Sequence, residues 1–75
     1  MNNFEYNFEL LKATRLSKKI SAQSIAADLC LAERHIKSIE ENSTQYFASE
    51  SIRKSSIKKY ALALGLKLED VFESN

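Results

Sequence analysis

Residues 20–42 read ISAQSIAADLCLAERHIKSIEEN, and this stretch decides the fold. Ser21 is a strong helix N-cap, because its hydroxyl can accept a bond from one of the unpaired backbone N–H groups that open a helix. Ile25, Ala26 and Leu29 then recur at helical spacing, so a helix over about 22–29 has one apolar face. Ile20 stands just before the cap, where it can fold over onto Ile25. A short turn over 30–32 follows. A second short helix is predicted over about 33–41, with Ile36 and Ile39 facing inward and Glu33, Arg34, His35, Lys37, Ser38 and Glu41 polar.

Working outward, residues 6–19 are expected to form a first helix. Leu10, Leu11 and Thr14 line its inner stripe, together with Tyr6 and Phe8. Lys18 and Lys19 fall in its last turn, where cations favour the negative end of the helix dipole. On the other side, 42–50 (NSTQYFASE) is irregular and carries two apolar anchors, Tyr46 and Phe47. Ser49 or Ser51 caps a helix over about 51–64, whose inner face is Ile52, Ile57, Tyr60, Ala61 and Leu64. Gly65 suits the left-handed position that ends a helix. A last short helix over about 68–73 brings Val71 and Phe72 against the core. The expected core is Leu11, Ile25, Ala26, Leu29, Ile36, Ile39, Ile57, Ala61, Leu64 and Val71.

Composition agrees with a single all-α domain over 1–75. There is no Pro and one Gly, too few turn residues for a hairpin-rich chain. Apolar residues make up 44% and charged ones 28%, a globular balance. Cys30 is the sole cysteine, so no intrachain disulfide forms; between Leu29 and Leu31 it reads as a small buried side chain. No apolar run reaches membrane-spanning length and no secretory signal is visible, so the expected compartment is the cytoplasm, with no membrane contact. His35 has no second His or Cys to make a metal site. Glu40 and Glu41 are adjacent and cannot face each other across a cleft. One Gly excludes a phosphate-binding loop. No catalytic residue, metal or cofactor is expected, and the chain is not read as an enzyme.

Net charge is only +1, but it is segregated. Basic residues group near the start (Lys12, Arg15, Lys18, Lys19), in the middle (Arg34, Lys37, with His35) and later (Arg53, Lys54, Lys58, Lys59), while Glu5, Glu9, Glu69, Asp70 and Glu73 lie at the ends, so a folded molecule can show one basic and one acidic face. Two short helices joined by a tight turn, with motif limits of about 22–41, have the geometry of a helix-turn-helix, whose second helix enters the major groove of double-stranded DNA. On that helix Arg34, His35, Lys37 and Ser38 are the candidate base contacts. Arg can pair with guanine O6 and N7, Lys with guanine or phosphate, and Ser with either edge. Gln23, Ser43, Gln45, Lys54 and Lys58 are candidate contacts to the DNA backbone. The plain alternative is that these side chains form solvated faces.

The same stretch resembles the lambda-repressor-like (Cro/C1-type) helix-turn-helix family over about residues 10–72. The tail, YALALGLKLEDVF (60–72), resembles that family's later element. The resemblance implies a compact five-helix DNA-binding domain. It also implies an ion pair between Arg15 and Glu40 that ties the first helix to the end of the third; two separately solvated charges are the alternative. Three positions depart from the pattern. Ala22 stands where the family usually has a phosphate-anchoring Gln, Cys30 where it has the turn Gly, and Asn42 where Gly often follows Glu. QYFASESIRKSSIKKYALALGL (45–66) is also similar to RodZ-type cytoplasmic domains of this fold, some of which bind a cytoskeletal protein rather than DNA. That similarity implies a protein-interaction adaptor as the second reading. Family members commonly bind pseudo-palindromic DNA as dimers, so a weak homodimer is expected, with Phe4, Tyr6, Leu68 and Phe72 as either its interface or the last cover of the core.

Overall fold

Capping side chains set where α1, α2 and α4 begin. The computed structural model describes residues 5–72, so Phe4 and the expected helical residue 73 lie outside the described residues. Among the described residues the elements run α1 (Phe8–Ser17), α2 (Ala22–Asp28), α3 (Glu33–Glu40), α4 (Glu50–Ala63) and α5 (Leu68–Val71). Asn7 Oδ1 accepts from the Leu10 N–H and Ser21 Oγ from the Ser24 N–H, each at 3.0 Å. Ser49 rather than Ser51 caps α4, its Oγ accepting from the Ile52 N–H at 3.2 Å, so that helix begins one residue earlier than expected. Ala32 has no polar side chain, and α3 borrows a cap from within: His35 Nδ1 accepts the Ala32 N–H at 3.1 Å.

The ends of α1 to α4 share one device. Lys19, Cys30, Asn42 and Gly65 have φ of 58°, 60°, 57° and 80°. Each left-handed residue donates its N–H back into the last turn, and the next residue donates to a carbonyl one place earlier, as Lys19 N to Leu16 O (3.0 Å) and Ile20 N to Arg15 O (3.2 Å). This is the Schellman arrangement. Glycine fills it without strain and Asn tolerates it, whereas Lys and Cys carry a Cβ penalty of about 1 kcal/mol. The device also corrects the reading of Cys30. Its neighbours Leu29 and Leu31 turn inward by half, but the terminating residue points out, and Cys30 is exposed.

α3 packs against α2 and α1, while α5 rests on α4 and α1. The expected core residues are buried except Leu29, which is half-buried; Ala22, Tyr6 and Tyr60 join them. Ile52 was expected inside, yet it is 52% exposed. The buried positions of α4 are Arg53, Ser56, Ile57, Tyr60 and Ala61, a stripe that Ile52 does not share. Tyr6 precedes α1 instead of belonging to it, and it pairs with Phe72 in an isolated antiparallel bridge. Tyr6 is buried and its hydroxyl donates to Ile39 O at 2.5 Å, so it finishes the core. No helix among the described residues is long and apolar enough to cross a membrane.

Arg15, Glu40 and Tyr60 form a polar knot inside this core. Arg15 Nε and Nη2 donate to the two Glu40 carboxylate oxygens at 2.7 and 3.1 Å, and the Tyr60 hydroxyl donates to Glu40 Oε2. Burial, reinforced by the bond to Glu40, raises the Tyr60 hydroxyl above its ordinary value of 10.0. Burial likewise raises Tyr6, against the opposing pull of Arg53.

Two outcomes are expected. Replacing Lys19 or Cys30 by Gly removes the left-handed penalty at some entropic cost, so each should raise stability by roughly 0.5–1 kcal/mol in urea titration. Both buried tyrosines are neutral in the folded state with raised values. Their stabilisation is therefore complete below about pH 10 and is lost as pH climbs through the folded values. Unfolding free energy should fall steeply in that alkaline range, and Tyr60→Phe should flatten the fall.

Candidate nucleic-acid interface

The inner side of α3 is closed by Ile36 and Ile39, which leaves Glu33, Arg34, Lys37 and the C-cap Glu41 on the outer face. Lys37 Nζ lies 3.4 Å from Glu33 Oε2, an exposed i,i+4 pair. Such a pair contributes only about 0.3–0.5 kcal/mol, so Lys37 can exchange this partner for another anion. The Arg34 guanidinium carbon lies 5.8 Å from the ring centre of Tyr46, within cation–π range. Of the four residues expected at bases, the structure brings Arg34 and Lys37 together on this face.

His35 and Ser38 turn instead toward the segment that follows α3. Ser38 is 3% exposed, and its hydroxyl, with a single proton, bridges the carbonyls of Ser43 (3.1 Å) and Gln45 (3.0 Å). His35 is half-buried. Because its Nδ1 accepts from Ala32, the proton sits on Nε2, which donates to Tyr46 O at 3.2 Å. The imidazole also packs against Phe47, with ring centres 5.0 Å apart. The cause lies in the segment after α3. Residues 42–49 are mostly without helical bonds, and their carbonyls must find donors if they lie against the domain. Ser38 and His35 supply them.

Arg53 completes this brace, a role that its place among the cations of α4 does not announce in the sequence. It is 3% exposed. Nε donates to Ser43 O (3.0 Å), Nη1 to Glu50 Oε2 (3.2 Å), and Nη2 to both Asn42 Oδ1 and the Tyr6 hydroxyl (3.2 Å each). Its spacing to Ile57, Tyr60 and Leu64 along the buried stripe of α4 was the available signal.

The candidate backbone contacts are scattered. Gln23 is exposed in the first turn of α2, beside Ala22, whose own position is buried and so belongs to the core. Gln45 is exposed. Ser43 is half-buried, and its hydroxyl accepts the Gln45 N–H at 3.1 Å. Lys54 and Lys58 are exposed on α4, with Lys54 Nζ 6.0 Å over the Phe72 ring. The Arg15–Glu40 pair is buried, and with Lys12, Lys37 and Glu41 it lines a shallow cleft of about 200 Å³ between α1 and α3. Arg15 is held above its already high ordinary value, first by its hydrogen bonds to Glu40.

Residues 10–71 match the helix-turn-helix domain family, and the chain belongs to that family. No curated protein and no solved structure matches it significantly. Membership carries the potential to bind DNA.

Removing one of the loop's donors should loosen residues 42–49 without undoing the fold. Ser38→Ala and His35→Ala are each expected to lower stability by about 1–2 kcal/mol. Limited proteolysis should show faster cleavage near Gln45 in both variants, while the helical circular dichroism signal at 222 nm is kept.

Proposed function

We propose that this domain binds double-stranded DNA sequence-specifically, as a small transcriptional or phage-type regulator of the lambda-repressor-like kind. The outer face of α3 lies in the major groove in this reading. One observation carries it: that face is polar along its length and holds Arg34 and Lys37 side by side, next to Glu33 and Glu41, while Ile36 and Ile39 are turned inward. Arg34 is the base reader, its fork suited to guanine O6 and N7. Lys37 leaves Glu33 for a phosphate or a guanine. Gln23 stands one residue from the place of the family's phosphate anchor and supplies the amide that Ala22 lacks. Gln45, Lys54 and Lys58 add backbone contacts. Two copies on a pseudo-palindromic site complete the proposal, with half-buried Leu68 and Phe72 as the apolar surface for pairing.

A second reading, a protein-binding adaptor of the RodZ-like kind, is favoured by α4. Ile52 and Leu62 are 52% and 59% exposed on its outer side, more apolar surface than phosphate contact requires.

Selection from random duplex DNA at physiological salt separates the two. The DNA reading expects a short enriched site. Arg34→Ala should then erase the preference at one base position, a loss of about 1–3 kcal/mol there. Lys37→Ala should weaken all sequences alike and lower the salt slope by about 1. If no duplex is enriched, and none is retained at low salt, the DNA reading is lost and the adaptor stands.

A further inference from the structure

Tyr46 is placed in a way the core does not require. The residue is 56% exposed, although its neighbour Phe47 is half-buried and already anchors the loop. Its φ is +74°, a region that bulky residues rarely adopt. Strain of this kind persists where surrounding contacts over-determine it, and three do so here. The Tyr46 carbonyl is held by His35 Nε2 at 3.2 Å. The preceding carbonyl, of Gln45, is held by buried Ser38. The ring meets the edge of His35, with centres 6.4 Å apart and planes at 80°. What this strained, braced loop achieves is a fixed aromatic ring 5.8 Å from the guanidinium of Arg34.

We propose that Tyr46 is a specificity-determining residue: it positions Arg34 for a single base and so restricts the domain to duplex sites with guanine at that position. The proposal rests on the DNA reading given above. A free arginine on a helix surface has many rotamers and can satisfy itself on any phosphate. With its guanidinium carbon 5.8 Å from the centre of an aromatic ring, that side chain keeps its N–H donors while losing some of its alternative directions. Those donors match guanine O6 and N7, and no other base edge in the major groove offers two acceptors to a fork. His35 and Ser38, which leave the interface as direct readers, return to it here as the supports of Tyr46.

The test adds Tyr46→Ala, Tyr46→Phe and the Arg34→Ala/Tyr46→Ala double variant to the duplex selection, with thermal melts of each. Tyr46→Ala should relax the preference for guanine at the Arg34 position by roughly 5- to 30-fold, the range for a cation–π contact desolvated in a complex. Other positions and the melting temperature should stay as in the wild type. Tyr46→Phe keeps the ring and should keep the preference. The double variant should match Arg34→Ala alone, because Tyr46 acts through Arg34. Uniform weakening at all positions, or an unchanged guanine preference in Tyr46→Ala, overturns the proposal and leaves the DNA reading intact. Failure of the wild type to enrich any duplex removes both.

Discussion

Glu40 is a carboxylate at the end of α3, shut away from water, and the arrangement of the domain follows from how it is satisfied. Arg15 of α1 grips it through two donors, and Tyr60 of α4 adds a third. The same guanidinium donates to Ile20 O at 3.0 Å, so it also fixes the turn between α1 and α2. One ion pair therefore sets the position of four helices. Pairs of this kind gain little over apolar residues of equal volume, but removal of one partner strands the other charge at a cost of about 3–5 kcal/mol. The geometry is thus close to all-or-none. Its consequence for α3 is that one edge is locked from beneath, and the opposite edge is left to solvent.

Arg53 provides a second brace, joined to the first through α3. It fastens Asn42, Ser43 and Glu50 and supports Tyr6, whose hydroxyl reaches back to Ile39. A chain of 75 residues has few large apolar side chains to bury, and a core of that size defines position loosely. Two buried arginines with every donor group directed narrow the choice of packing. They also explain why the molecule's cations do not all serve its surface. Arg15 and Arg53 belong to the frame, whereas Arg34 and Lys37 remain for a partner.

Much of the fold was readable because helix periodicity and capping are local. Ser21 and Gly65 hold their expected roles, and Ile36 and Ile39 are the fully buried pair of α3. The Arg15–Glu40 contact was implied by resemblance alone, since nothing in the spacing of two charges 25 residues apart brings them together. The interface was less readable, and the reason is specific. Polarity on α3 reads as exposure, but Ser38 and His35 spend theirs on the carbonyls of the loop that lies against them. Cys30 failed in the opposite sense: apolar neighbours suggested burial, while its place at a left-handed helix end turned it outward. In both cases the deciding contact involves backbone that a side-chain pattern does not describe.

The bridge between Tyr6 and Phe72 sets the first described segment antiparallel to the last, with the Asn7 N–H donating to Val71 O at 2.6 Å. The point where the chain enters the domain is therefore beside the point where it leaves. Such a module can be spliced into a surface loop of a larger host with little disturbance to either, because the host's two cut ends need not be forced apart. For the same reason its order of helices is not sacred: a short linker across the bridge would let the polypeptide open anew in the turn after α2, away from the Ile20 carbonyl that Arg15 holds.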